Sequence, residues 1–291
     1  MSLRRVVIGA PLAWLLVFFL LPCVIVARIS LAEPRIAQPP YSPLLESRAD
    51  GGATLVVTTA SYRTLIEDEL YLAAYFESLR MAALATLVCL LLGYPMAWRM
   101  ARAGPRWRAA LLLLVMLPFW TSFLLRVYAW SALLNRHGVV NELLLALGIV
   151  NAPLELLHTP FAVQLGLVYA YLPFMILPLY ATLERLDEEF LEAAADLGCP
   201  PWRSFVTVVL PLSLPGVLAG CALVFVPALG EFVVPDLLGG PDTLMIGKVL
   251  WDEFFANRAW PVASAIALIM LALVLVLMSF ERWLRVRVRS S

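Results

Sequence analysis

Charge is scarce in this chain: Asp, Glu, Lys and Arg make up 14% of its 291 residues, where soluble domains hold about 25%. With 62% hydrophobic residues and a mean hydropathy of +0.88, too little polar sequence remains to cover a soluble core. Lipid must be the solvent for much of the surface. Histidine is scarcer still. His137 and His158 stand without a cluster, so neither is given a metal or catalytic role. No HExxH or GxSxG occurs, which removes two common hydrolase arrangements. The four cysteines, Cys23, Cys89, Cys199 and Cys221, show no CxxC spacing, which argues against disulfides and a metal centre. Gly247-Lys248 lacks both the following Ser/Thr and the upstream glycine spacing of a phosphate loop. An enzyme acting by itself is therefore a poor reading.

What the chain does have is long apolar runs. A helix needs roughly 20 residues to cross about 30 Å of hydrocarbon. Six runs meet that length, near 6–27, 75–98, 109–131, 161–183, 212–235 and 260–280. Lipid offers no partner to backbone N–H and C=O groups, and no barrel-like alternation is present, so all six are predicted as helices. The first run follows Arg4 and Arg5 and precedes Ser30-Leu31-Ala32, which loosely resembles a cleavage site. Its apolar stretch exceeds the roughly 7–15 residues of a signal peptide, so a retained span is expected.

Charge orients the chain. Twelve arginines fall in the tails and loops of one side: Arg4, Arg5, Arg99, Arg102, Arg106, Arg108, Arg185, Arg203, Arg282, Arg285, Arg287 and Arg289. The opposite loops hold Arg28, Arg35, Arg48, Arg63, Arg136, Lys248 and Arg258, with acids in excess. By the positive-inside rule the arginine-rich side is cytoplasmic, and so are both termini. The expectation is an all-α, polytopic membrane protein with six transmembrane helices, in which residues 1–291 form one domain.

The outer segment 28–74 is broken by Pro34, Pro39, Pro40, Pro43, Gly51 and Gly52, with a short helix expected from Ser61 to Leu70. Interfacial helices are expected near 134–160 and 236–259. Pro95, Pro118, Pro173, Pro178, Pro215 and Pro227 lie inside spans, where each removes a donor and bends its helix.

One connection is unlike the rest. Residues 184–211 are cytoplasmic and polar, and their pattern predicts a structured joint. Leu183, Leu186, Phe190, Ala194 and Leu197 recur at helical spacing with acids on the other face. Gly198 is placed to end that helix in a left-handed turn, and Pro200-Pro201 to start a second one carrying Trp202, Phe205, Val206 and Val209 on one face. A helix lying on lipid headgroups would be basic, whereas this one is acidic, so docking to a partner protein fits better.

Glu192-Ala193-Ala194, Gly198, Val208 and Leu210-Pro211 match the EAA motif, E-A-A-x3-G-x9-I-x-L-P, with Val208 in place of Ile. The chain thereby resembles the membrane permeases of binding-protein-dependent, type I ABC importers. "PFWTSFLLRVYAW" (118–130), "GLVYAYLPFMILPLY" (166–180), "GEFVVPDLLGGPDTLMIGKVLWDEFF" (230–255) and "RAWPVASA" (258–265) look like the polyamine branch of that family. The resemblance implies that Glu192, Ala193, Ala194, Gly198, Leu210 and Pro211 form a coupling helix and its exit, seated on a cytoplasmic ATPase. It also implies two ATPase copies that bind ATP and Mg, a second related permease chain, and a periplasmic substrate-binding protein. No cofactor is expected on this chain, and no nucleic acid. Putrescine, then spermidine, is the implied substrate; related permeases carry thiamine, ferric iron or phosphonates.

Independently of resemblance, an acidic outer face suits a cation. Glu231 sits near the outer end of the fifth span, where carboxylates often mark a pathway. Asp236 is placed to join it, and Trp120, Tyr128, Tyr169 and Tyr171 can stack on an alkylammonium. The plainer alternatives are an interfacial aromatic belt and a Glu231–Arg126 ion pair. Glu77 and Arg80, at i,i+3, are read as a local pair. A stand-alone secondary transporter is the rival class, disfavoured because it needs no EAA loop and usually shows inverted repeats.

Overall fold

The computed structural model describes residues 3–43, 45–47, 53–55, 57–187, 189–241 and 243–290; Arg48, Gly51 and Gly52 of the sequence reading lie outside them. Among the described residues the chain is almost entirely helical, as expected, with one three-residue strand pair, Leu45–Ser47 against Ala53–Leu55. Among the described residues, five helical stretches are long and apolar enough to cross a membrane: Val7–Ser30, Glu69–Ala101, Pro160–Leu183, Pro201–Leu229 and Trp260–Ser279.

The sixth expected crossing, 109–131, is not one straight helix. Pro105–Trp120 and Phe123–Ala146 meet at a 90° bend. Pro118 has no N–H to continue the helical ladder, the chain tightens to a 3-10 turn over Leu117–Trp120, and Thr121 runs extended.

Two compact units are distinguished by their internal contacts. The first comprises 1–74 and 249–276. It contains α1 (Leu3–Leu15) and α2 (Leu21–Ser30), joined through a π-turn at Leu16–Leu20, and α3 (Ala60–Glu67), where the short outer helix was expected. The Ser30 hydroxyl is 2.8 Å from the Tyr62 hydroxyl, and Phe254 stacks on Trp260 at 4.9 Å.

The second unit comprises 75–248 and 277–291. Its elements begin in α4 (Glu69–Ala101) and continue through α5 (Pro105–Met116), α6 (Phe123–Leu134), α7 (Val139–Ala146) and α8 (Pro160–Leu183). Then come α9 (Glu189–Asp196), α10 (Pro201–Ser204), α11 (Leu210–Leu229) and α12 (Val233–Leu238). Helix α13 (Ile246–Phe255) begins here, and α14 (Trp260–Ser290) ends here. At the start of α8 the Thr159 hydroxyl accepts from the Ala162 amide, and Pro160 takes the position whose N–H would be unused.

Helix α8 is the core of this unit, with Val163, Leu167, Met175, Ile176, Leu179 and Leu183 all buried. It meets α11 closely because Gly216 and Gly220 face it. A Cβ at Gly216 would stand 2.5 Å from Thr182 Oγ1 and 2.9 Å from the Pro178 carbonyl oxygen. One at Gly220 would stand 2.6 Å from Met175 Sδ. In lipid, helix association rests on such close packing rather than on a hydrophobic driving force.

Candidate functional site

The motif residues of the loop form a short, capped joint. Helix α9 begins at Glu189 rather than continuing from Leu183 as expected, because α8 ends there and the chain turns through Glu184–Leu186. At its far end Gly198 has φ +74. The Gly198 amide donates to the Ala195 carbonyl at 2.8 Å and the Cys199 amide to the Ala194 carbonyl at 3.0 Å. This is a Schellman cap, which satisfies carbonyls that the helix leaves open and favours glycine at the left-handed position. Pro200 then runs extended and Pro201 opens α10.

Ala194 turns inward, whereas Glu192, Ala193 and Gly198 are exposed. Phe190 and Leu197, counted with the helix's apolar stripe, are also exposed, so this acidic helix presents apolar side chains outward. Beyond α10 a π-turn spans Phe205–Val209 and leads into Leu210-Pro211, both exposed. Pro211 cannot donate to the carbonyl of Thr207, and the helix widens just before it.

The joint is tied to α4. Phe205 meets Tyr94 edge-on at 5.5 Å and Trp98 at 6.0 Å, and Arg102 lies 3.5 Å over the Trp98 ring. The hydroxyls of Tyr94 and Ser213 are 2.8 Å apart. Nearby, Arg108 donates to Glu184 at 2.7 Å and to the Ala101 carbonyl at 2.9 Å, joining the 102–104 turn to the end of α8. Packed side chains therefore connect the turn after α10 to α4 and α11.

Glu231 lies at the opposite end of α11 and is buried. Tyr171 donates to its Oε2. Its Oε1 accepts from the amides of Phe232 at 3.2 Å, Val233 at 3.0 Å and Val234 at 3.5 Å, at the start of α12. Both oxygens are thus engaged, and the alternative pair with Arg126 is not formed. The guanidinium of Arg126 instead lies 5.6 Å from the ring centres of Phe119 and Phe123. Asp236 does not join Glu231 at a common mouth; it pairs with Lys248 and is half exposed.

The aromatic candidates disperse. Tyr171 is buried beside Glu231, and Tyr169 packs edge-on against Trp130 at 5.5 Å. Trp120 and Tyr128 point away from the chain. Tyr169 also lines a cavity of about 580 Å³ with Pro95, Met96, Leu111, Leu114, Pro118 and Pro173, and with Arg99 as its one charged neighbour. Glu77 and Arg80 pair at 2.9 Å, as their spacing predicted.

Two sets of residues escaped the sequence reading. Gly216 and Gly220 form a G-x-x-x-G pattern in an apolar run, a signal that was available. The Tyr94–Ser213 and Phe205 contacts join residues far apart in the chain and have no local signature.

Residues 89–290 match the family described as binding-protein-dependent transport system inner membrane component. The spermidine/putrescine transport system permease protein PotB of Haemophilus influenzae is 40% identical over 265 residues, covering 91% of this chain and 88% of its own. The protein of the same name from Escherichia coli is 44% identical over 237 residues, covering 81% and 86%. Among solved structures, a bacterial ABC transporter involved in import of the acidic polysaccharide alginate superposes with a TM-score of 0.70 at 18% identity, over 98% of this chain and 96% of that one. A likeness at that identity carries the fold alone. A match spanning the EAA joint and most of the helices leaves one conclusion: this chain belongs to the binding-protein-dependent ABC importer permeases and is a multi-pass inner-membrane transport subunit.

Proposed function

We propose that the chain moves a polyamine, putrescine first and spermidine second, from periplasm to cytoplasm, driven by ATP hydrolysis on a separate subunit. The observation that carries this reading is the identity to polyamine permeases along nearly the full length of both chains. In this reading residues 1–291 act as one transmembrane domain with both termini cytoplasmic. The partners are two copies of a cytoplasmic ATPase that binds ATP and Mg, a second related permease chain, and a periplasmic binding protein. This chain itself carries no cofactor.

Coupling is assigned to Glu192, Ala193, Ala194, Gly198, Leu210 and Pro211. The outward apolar side chains of α9 support it, since Phe190 and Leu197 suit a groove on another protein better than water. Closure of the ATPase pair pushes α9; the rigid Schellman turn passes the push to α10 and α11, and Phe205 passes it to α4. The substrate path is assigned to Glu231, Asp236, Trp120, Tyr128, Tyr169 and Tyr171. Glu231 acts there by setting α12, and the carboxylate becomes available to an ammonium when Tyr171 releases it.

The test is uptake of labelled putrescine by cells expressing this chain with its neighbouring transporter subunits. Spermidine, thiamine and ferric iron serve as competitors, with and without ATP depletion at intact membrane potential. ATP-dependent uptake competed by amines is expected. Uptake that survives ATP depletion removes the coupling, and an assembled complex without amine uptake removes the substrate.

A further inference from the structure

Lys248 and Asp236 form an ion pair between two helices that other contacts already hold in place. Asp236 lies on α12, whose first amides donate to the Glu231 carboxylate. Lys248 is the third residue of α13. At the start of that helix the Ile246 amide donates to the buried Ser78 hydroxyl at 2.7 Å. Gly247 sits so close to the end of α11 that a Cβ there would stand 2.5 Å from the Gly230 carbonyl oxygen and 2.6 Å from that of Glu231. Backbone contacts thus set both helices, and the ion pair is not needed as a strut between them.

The pair is also open to exchange. Its side chains keep 28% (Lys248) and 52% (Asp236) of their surface exposed. Lys248 engages Oδ1, and among the described residues Asp236 Oδ2 has no hydrogen-bond partner. An ion pair exposed to this degree is favoured over solvent by only about a two- to fivefold factor. Its chemistry is that of the proposed cargo: Lys248 ends in a primary alkylammonium, the group that also ends a putrescine or spermidine chain. A carboxylate assigned to the substrate path is therefore already holding an ammonium of the chain itself.

We propose that Lys248 is a built-in competitor at Asp236, one that a polyamine displaces and a monoamine does not. This rests on the polyamine reading and the substrate path given above. Replacing one alkylammonium by another at the same carboxylate gains nothing by itself. A tethered competitor also acts at an effective concentration on the order of millimolar, so a free monoamine seldom takes its place. A polyamine brings at least one further ammonium, and the attraction of that charge to the acids that outnumber bases in the outer loops is not offset by the departure of Lys248. Discrimination of this kind is set by an element that opposes the wrong ligand as much as by contacts to the right one.

The test uses the whole transporter, expressed with its neighbouring subunits, and compares wild type with Lys248→Gln, Lys248→Arg, Asp236→Asn and the double variant Lys248→Gln/Asp236→Asn. Labelled putrescine uptake is measured at fixed ionic strength and matched amounts of assembled complex, with n-butylamine as inhibitor because it carries the same carbon chain and one ammonium. In Lys248→Gln the half-inhibiting butylamine concentration is expected to fall about two- to fivefold, and uptake at limiting putrescine to rise. Lys248→Arg grips the carboxylate with a two-pronged guanidinium and is expected to lower that uptake. Asp236→Asn is expected to lower it as well, and the double variant to lose the added sensitivity to butylamine. A mere strut gives the opposite order, with Arg serving as well as Lys and Gln failing.

Unchanged butylamine inhibition in Lys248→Gln overturns the proposal. So does a gain in sensitivity that persists in the double variant, since it would not pass through Asp236. Should Lys248→Gln assemble poorly, Lys248→Arg carries the test: reduced uptake supports the competitor, and wild-type uptake overturns it. A wild-type complex that assembles but imports no putrescine overturns the polyamine reading instead, and is seen before any variant is compared.

Discussion

The Tyr171 hydroxyl donates to one oxygen of the Glu231 carboxylate while the other oxygen caps helix α12. One buried acid thereby joins the middle of α8, the end of α11 and the start of α12. An acid in a span is costly unless its bonds are filled, and these are. The acid proposed for the substrate path is also the residue that holds the end of α11 to the start of α12, so its substitutions separate the two roles.

Glu231→Gln keeps an acceptor for the α12 amides but removes the charge. Amine uptake is expected to fall a few-fold with assembly intact. Glu231→Ala also removes the cap, a loss of about 1 kcal/mol, and is expected to reduce uptake further and lower the melting temperature. Uptake by Glu231→Gln equal to wild type, measured at matched expression with labelled putrescine, would count the carboxylate as structural only.

Gly198→Val places a β-branched side chain at φ +74, a conformation costing about 1–2 kcal/mol for residues other than glycine. The expected phenotype is a complex that assembles and hydrolyses ATP but imports poorly, since the α9–α10 angle is lost. Normal ATP-driven uptake at normal expression would remove Gly198 from the coupling path.

Gly216→Leu forces a side chain against the Pro178 carbonyl and Thr182, backbone and a β-branched residue that cannot swing away. Little folded protein is expected, read as a loss of the monodisperse peak on heating and size exclusion. Gly220→Ala is expected to be milder, because its obstacle is the flexible end of Met175. Gly9→Ala, with nothing within 4 Å, is the silent control. Equal behaviour of Gly216→Leu and Gly9→Ala would refute the close α8–α11 contact.

Tyr94→Phe removes the hydroxyl shared with Ser213 but keeps the ring that Phe205 meets. Ser213 retains its bond to the Leu210 carbonyl at 3.1 Å. A stability loss of about 1 kcal/mol is expected, with ATP hydrolysis less tightly matched to import. Phe205→Ala, which empties the contact with both Tyr94 and Trp98, is expected to reduce import more. If Phe205→Ala leaves the ratio of solute imported to ATP hydrolysed unchanged, α4 does not receive motion from the joint.

Length, charge and spacing along the chain determined that this is a helical membrane protein with a structured EAA joint. Span length, acid and arginine placement, and the interval from Glu192 to Pro211 are properties of neighbouring residues, and no folding is needed to read them. The Gly198 turn was legible for the same reason: it depends on one residue and the prolines that follow. The Glu231 environment was not. Its partner Tyr171 lies 60 positions away, and a carboxylate in a span looks the same whether it meets a guanidinium, a substrate or three backbone amides. The Tyr94–Ser213 bond, across 119 positions, was equally hidden. The bend at Thr121–Ser122 lay between these cases: Pro118 signalled a break, but a proline withholds one donor and sets no angle. The tertiary structure decided the 90° turn, the engagement of Glu231 and the isolation of Arg126, because each follows from which distant side chains share a small volume.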